Sequence, residues 1–460
     1  MPLPAEFEKK LMPFFSAGMV LTDPADCLAY GYDNSRKQYL PDAVIFATTL
    51  LQIVELLKLC SEFKLPLITR GRGTNSVGAT LPIYGGIILS LERMNQITEI
   101  SPENRYMVVE PGVLNSEVQI AAAKHGLFWA PDPTSSAYSC IGGNLGCNAA
   151  GPRGVKYGTT RDNVLGLTFV TAEGQIIKAG VYTTKGVVGY DLVRLMIGSE
   201  GTLGVITQAI LKLSPIPEKT ATMRALFSSN QSALKAVAKI MGQAVTPCAL
   251  EFADHHCVNI IKNNNPGWLP DSTKAMLMLE VDGPLAAIDS NIEAIKQAAS
   301  LPELIDFQLA KNKQDQELLW QARKSLSQSL RTLSPNKINE DIVVPVSEMA
   351  NLIHFLDEQS KAFDFPIVSF GHAGNGNLHV NLLVDPNHPI EGLKAKACLD
   401  QIFDKVISLK GTLSGEHGVG IEKKGYIHKE LDTVTLDFMK KIKTAFDPLN
   451  ILNPGKIFPE

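Results

Sequence analysis

The stretch RGRGTNSVGAT (70–80), placed directly after the strand-like run LPLIT, most constrains what this chain can fold into. Gly71, Gly73 and Gly78, interleaved with Thr74, Asn75 and Ser76, let the backbone present several N–H groups to an anion. A dinucleotide fingerprint would need a helix immediately afterwards. Pro82 and the strand-like GGIILSL follow instead, which disfavours a Rossmann NAD site. Taken alone, this loop is equally well read as a plain turn. It is followed, however, by a long polar loop at 131–158, PDPTSSAYSCIGGNLGCNAAGPRGVKYG, and by GSEGTLGVIT (198–207), which runs into an apolar strand. Three such loops in one half of the chain suggest a backbone wrapped around an extended, phosphate-bearing ligand, because only glycine lets the main chain approach so closely.

Between the loops, strands and helices alternate. AVIFA reads as a strand, Thr48 as the N-cap of a helix carrying Leu50, Val54 and Leu57, and LNSEVQIAAAKHG as a helix stopped by Gly126. The pattern changes near LSPIP (213–217). Beyond it come strands at ATMRALF, CALEF, AMLMLEV, ELIDFQLA and DIVVP. Helices begin at Gln231, span about Ala286–Ser300 and include LLWQARKSL. This is the pattern of a sheet covered by helices on one face. The expected domains are 1–215, 216–410 and a glycine-rich, then helical, segment 411–460. At 460 residues, two or three domains are the default. The net charge of −4 with no basic tract argues against nucleic acid as a partner. Seven scattered cysteines without a C-x-x-C pair suit a reducing cytosol. MPLPAEFEKKL lacks a signal-peptide core, and no apolar run reaches the length of a membrane span, so a cytoplasmic protein, with or without peripheral membrane association, is expected.

Taken in order, R-G-x-G-T-N-x-x-G, P-D-P-T-S…G-G-N, G-S-E-G-T-L-G-V-I and the tail D-P-x-x-x-L-N-P-G-K (447–456) resemble the FAD-binding vanillyl-alcohol-oxidase superfamily. The similarity is to its branch of D-lactate dehydrogenases, D-2-hydroxyglutarate dehydrogenases and glycolate oxidase flavin subunits, and it runs over nearly the whole chain. It implies an α+β fold. A two-subdomain FAD-binding domain of the PCMH type is joined to an α/β cap domain with an antiparallel sheet, and a C-terminal helical segment returns to the FAD domain. It assigns the pyrophosphate to Arg70, Gly71, Arg72, Gly73, Thr74, Asn75, Ser76 and Gly78. Pro133, Thr134, Ser135, Gly142, Gly143, Asn144, Glu200, Gly201, Gly204, Val205, Ile206 and Asn453 would line the flavin. The first loop has no histidine, so non-covalent FAD is expected. Cys140 and Cys147 read as small buried hydrophobes rather than thioether partners.

GHAGNGNLHVNLL (371–383) holds the second constellation. If LHVNLLV is a strand, His379, Asn381 and Leu383 share one face, and two adjacent polar positions there suggest a lined cavity. His372 lies across a Gly-Asn-Gly turn, and Glu416 and His417 sit in the loop SGEHGVG. Two imidazoles and a carboxylate suit Zn²⁺ or a similar ion; spacing alone also allows two satisfied core histidines. The resemblance implies that His372, His379 and Glu416 bind a divalent metal, Zn or Mn, and that His417 is the catalytic base. It implies Arg323 and Asn381 as substrate contacts, with a surface arginine and a buried, satisfied amide as the plain alternatives. The reaction implied is oxidation of a D-2-hydroxy acid by hydride transfer to flavin N5. D-lactate is the first expectation, with glycolate and D-2-hydroxyglutarate as alternatives. In NKINEDIVVP, Lys337 lies two positions farther back than the lysine of the D-2-hydroxyglutarate enzymes, which disfavours a second substrate carboxylate. Expected partners are a quinone, a cytochrome or an electron-transfer flavoprotein, in a homodimer or as a subunit of a larger oxidase. A zinc hydrolase leaves the glycine loops unexplained, and a non-catalytic flavin subunit leaves the histidine set unexplained.

Overall fold

The apolar run at AVIF forms strand Ala43–Phe46, and helix Leu50–Phe63 follows it in a computed structural model that describes residues 3–16, 18–334, 336–385 and 388–459. The helix starts one residue later than its sequence suggested. Thr49, not Thr48, is the N-cap: its hydroxyl accepts from Gln52 N, and the Gln52 side chain accepts from the Thr49 and Thr48 N–H groups. Both threonines carry the right hydroxyl; Thr49, with an extended backbone, stands three residues before Gln52 and closes the capping box with it. The helix buries Ile53, Leu56 and Leu57 in one cluster with Ile45, Ile87 and Leu89, each side chain contributing about 1.5–3 kcal/mol of apolar burial.

The chain divides into two units. The first takes the chain up to Gly151, then Gly158–Ile216, and then the chain from Glu416 on; the second comprises Pro152–Tyr157 and Pro217–Gly415. In the first unit a four-stranded sheet runs in the order Val20–Leu21, Ala43–Phe46, Ile87–Ser90, Leu67–Arg70, its last three strands parallel. An antiparallel sheet follows, in the order Ile97–Ser101, Tyr106–Val109, Val205–Lys212, Val164–Val170, Ile176–Gly180. The 131–158 stretch is not one loop. It contains helix Ile141–Cys147 and the short turn of helix Gly154–Tyr157. Three glycines in the seven residues IGGNLGC hide the helix from propensity reasoning. Packing supplies the reason for one of them: a Cβ at Gly142 would stand 2.7 Å from the Pro111 Cβ.

The second unit is built on a seven-stranded antiparallel sheet. Its order is Leu304–Leu309, Lys219–Phe227, Ala275–Gly283, Ala249–Ala253, Ile367–Gly371, Asn377–Leu382, Ile338–Val343. Helices Asn230–Met241, Ile288–Ala299 and Met349–Phe363 pack on one another and on this sheet. The expected single layer of helices is incomplete. Helices His255–Asn264 and Lys313–Leu333 form a separate apolar cluster with Ala253, Met276, Val368 and Phe370 of the sheet. Register places His379 opposite Phe370 and Asp341, and Asn381 opposite Val368, so strand alternation puts these polar side chains on the face of that second helical pair. Among the described residues no helix is long and apolar enough to cross a membrane.

Candidate functional site

The first unit holds a pocket floored by glycine. Of the residues singled out in the sequence, Gly71, Gly142, Gly143, Glu200, Gly201, Gly204 and Ile206 line it. Cys140, Cys147, Gly146, Pro111 and Ser199 line it too. A Cβ on Gly146 would meet nothing within 4 Å and would stand in the open pocket, whereas one on Gly71 would strike the Cys140 sulfur at 2.4 Å. Walls so rich in glycine fit a flat, extended ligand held in part by main-chain groups, as a flavin dinucleotide would be. Burial pushes the Cys147 thiol up to about 12 and raises Cys140 as well, so neither is a thiolate.

The other predicted flavin residues stand around these walls. Arg70 is buried and curls under its own loop: its guanidinium donates to Thr80 Oγ1 at 3.3 Å, and a Cβ on Gly73 would collide with it. Arg72 turns outward to Glu92 at 3.1 Å. Asn75 fastens the loop, accepting from Val77 N at 2.9 Å and donating to the His417 carbonyl at 2.9 Å. Thr74, Ser76 and Gly78 complete this loop, and Val205 opens strand Val205–Lys212. Pro133, Thr134 and Ser135 form a partly exposed turn closed by Ser136 N on Pro133 O. Asn144 is buried and accepts from Asn115. Asn453 donates to the carbonyls of Ala79 and Glu200 at 2.8 and 2.7 Å.

Glu200 sits in the left-handed region at φ +53°. Its carboxylate accepts from Val419 N at 2.6 Å and Gly420 N at 2.8 Å, which holds the loop that begins with Glu416 and His417. Burial pushes this carboxyl up to about 6, against the pull of those two N–H groups and of Lys456 and Lys423. The family resemblance implies a place for Glu200 on the flavin wall; this second attachment was not legible in its motif.

In the second unit the structure brings His372 and His379 together, their rings edge to face with centroids 5.4 Å apart. Each has a carboxylate at its Nδ1. Glu251 Oε1 lies 2.6 Å from His372, and Asp341 Oδ1 lies 3.8 Å from His379. Asp341 also accepts from Asn377 Nδ2 at 2.7 Å and from Gly415 N at 3.0 Å. The Glu251 carboxylate on Nδ1 of His372 directs its Nε2 as the donor atom, and two adjacent buried imidazoles fit a borderline metal ion. Arg323, on helix Lys313–Leu333, donates through Nε to Glu251 Oε2 at 2.7 Å and lies over the Phe370 ring. Burial alone would raise the Glu251 carboxyl, but His372 and Arg323 outweigh it and hold it at about 2. Asn381 is fully buried. Its amide donates to Val368 O and His379 O and accepts from Lys337 Nζ at 2.7 Å, so neighbouring strands satisfy it and Lys337 reaches it despite its distance in sequence.

Reading the sequence did not find Glu251, although a glutamate in the middle of the apolar run CALEF is a signal in itself, since buried carboxylates are rare unless paired.

A glycine-walled dinucleotide pocket beside a parallel sheet, together with a second unit bearing paired imidazoles and an arginine, defines a flavin-dependent oxidoreductase. Comparison with known proteins agrees. Residues 41–180 match the FAD binding domain family and residues 216–457 the C-terminal domain of FAD linked oxidases. The chain is 42% identical over 432 residues to the glycolate oxidase subunit GlcD of Bacillus subtilis (strain 168), a match covering 94% of this chain and 92% of that one. It is 33% identical over 425 residues to the D-lactate dehydrogenase of Anaerostipes hadrus, covering 91% and 89%. The structure of p-cresol methylhydroxylase with substrate bound matches with a TM-score of 0.79 over 99% of this chain and 97% of that one; at 19% identity this shows the fold alone. The chain belongs to the FAD-linked oxidoreductases of the glycolate oxidase GlcD and D-lactate dehydrogenase type, with the α+β, PCMH-type fold of that superfamily.

Proposed function

We propose that the protein oxidises a small D-2-hydroxy acid, D-lactate first and glycolate next, with non-covalent FAD and a divalent metal. One observation carries the reading: a buried carboxylate ties the guanidinium of Arg323 to one of two adjacent imidazoles, which supports a carboxylate-binding fork next to a metal-binding pair. FAD, when bound, supplies the hydride acceptor. His372, His379 and Glu416 would hold a divalent ion, whose positive charge would lower the pKa of the substrate hydroxyl. With Nε on Glu251, the remaining guanidinium nitrogens of Arg323 bind the substrate carboxylate and orient the Cα–H bond. His417 takes the hydroxyl proton. Protonated thiols at Cys140 and Cys147 favour dissociable flavin. The relative named as a glycolate oxidase subunit favours a chain that works within a larger oxidase; the electron acceptor proposed is a quinone, a cytochrome or an electron-transfer flavoprotein.

The test is anaerobic bleaching of the bound flavin by a panel of D- and L-2-hydroxy acids. D-lactate and glycolate are expected to bleach it and L-lactate to leave it oxidised; a flavin that no member of the panel reduces refutes the assignment. Stripping metal with a chelator is expected to abolish bleaching until Zn²⁺ or Mn²⁺ is restored.

A further inference from the structure

We infer that Glu251 is a positioning residue shared by the metal and substrate groups, one carboxylate that orients His372 through one oxygen and Arg323 through the other. This rests on the metal and substrate reading above and extends it to a residue 121 positions before His372 in the chain.

Glu251 lies in strand Ala249–Ala253 and is 1% exposed, so its two oxygens have no water to share. Oε1 takes His372 Nδ1 at 2.6 Å and Oε2 takes Arg323 Nε at 2.7 Å. The contact on His372 fixes which ring nitrogen carries the proton and makes Nε2 the donor toward an ion. The contact on Arg323 is made through the inner nitrogen of the guanidinium, Nε, and fixes the plane in which the two outer nitrogens lie. Two further contacts prevent the groups from swivelling. Arg323 lies over Phe370 with 4.7 Å to the ring centre, and Phe370 lies 5.7 Å from the His379 ring. A plain ion pair pinning helix Lys313–Leu333 to the sheet would need Arg323 alone. The second oxygen on the imidazole is what links the helix to the metal pair. Because one carboxylate serves both, metal affinity and substrate affinity are coupled through it.

The experiment uses the flavin-loaded full chain and reads Zn²⁺ affinity by competition with a chromophoric chelator, alongside KM for D-lactate. Glu251→Gln keeps the shape and one acceptor but presents an amide N–H₂ to the other donor. It is expected to weaken Zn²⁺ binding about 10- to 100-fold and to raise KM, with flavin content unchanged. Arg323→Gln, on the helix rather than in the sheet, guards against a Glu251 variant that fails to fold. It leaves Glu251 wholly to His372, so Zn²⁺ binding is expected to tighten severalfold although Arg323 would not touch the ion. Conservation of wild-type Zn²⁺ affinity in Glu251→Gln, or in Arg323→Gln, while His372→Ala loses the ion, overturns the role of Glu251 and leaves the metal site standing. A wild-type chain that binds no Zn²⁺, and that His372→Ala and His379→Ala match, overturns the metal reading itself.

Discussion

Two glycines in one seven-residue helix, Gly142 and Gly146, should respond oppositely to the same methyl group. Alanine at Gly142 would put its Cβ 2.7 Å from the Pro111 Cβ and 3.1 Å from the Pro111 carbonyl, neither of which can swing away. Overpacking of this kind costs about 1–3 kcal/mol. The gain in helix propensity, about 0.5–1 kcal/mol, does not offset it, so Gly142→Ala lowers the stability of the flavin-free protein. Alanine at Gly146 meets nothing within 4 Å, and its backbone is not in the left-handed region. There the propensity gain stands uncontested and the flavin-free protein becomes more stable by about 0.5–1 kcal/mol. The same methyl occupies the pocket, however, and a clash of about 1–3 kcal/mol with the ligand weakens FAD binding roughly 5- to 150-fold. Denaturation of the flavin-free protein and FAD titration by fluorescence quenching read the two quantities separately. A Gly146→Ala protein that binds FAD as tightly as wild type would show that the flavin lies elsewhere and refute the reasoning.

The Glu200 carboxyl gives a pH prediction. Its folded value, about 6, lies above the ordinary 4.5, so its contribution is fully present below about pH 4.5 and is lost as pH rises through 6. The total is about 2 kcal/mol. Glu200→Gln is expected to flatten that decline, and an unfolding free energy that falls in parallel with wild type from pH 4.5 to 8 argues against it. His417→Ala should retain flavin yet lose anaerobic reduction by D-lactate, and normal reduction would exclude His417 as the base. Arg323→Lys should raise KM for the acid by roughly ten- to hundredfold, the worth of a charge-assisted bond of about 1.5–3 kcal/mol, with kcat less affected. Steady-state kinetics with an artificial dye acceptor decide it, and an unchanged KM removes Arg323 from the substrate carboxylate.

The legible parts of the chain were those where one local pattern sufficed. AVIF and the run after it announce a strand and a helix because apolar spacing and a threonine cap agree. The cap itself slipped by one residue because Thr48 and Thr49 offer the same hydroxyl, and only the capping box with Gln52 singles out Thr49. Helix Ile141–Cys147 was illegible because its three glycines follow from close packing and an open pocket, both of them tertiary facts. His372 and His379 could be paired from the turn between them, and the structure sets their rings face to edge. Glu251 and Asp341 could not be attached to them, since the contacts follow from register in a seven-stranded sheet whose strands come from distant parts of the chain. Asn381 shows the limit of pattern reading: a polar residue on a buried strand announces a partner but not which one, and here it is Lys337, just before the neighbouring strand Ile338–Val343.

The tail has a consequence for how the protein is made. Asn453 ties Ala79 to Glu200, Lys456 donates to the Leu81 carbonyl, and Lys443 holds Asp447 and the carbonyls of Thr202 and Leu452. These residues leave the ribosome long after the walls they brace. The second unit, whose Pro152–Tyr157 segment emerges early, is complete once Gly415 has emerged, while the first still lacks the segment that begins at Glu416. Translation therefore delivers the two units in the reverse of their order of appearance, and the growing chain carries an unfinished flavin pocket until its final stretch is threaded home.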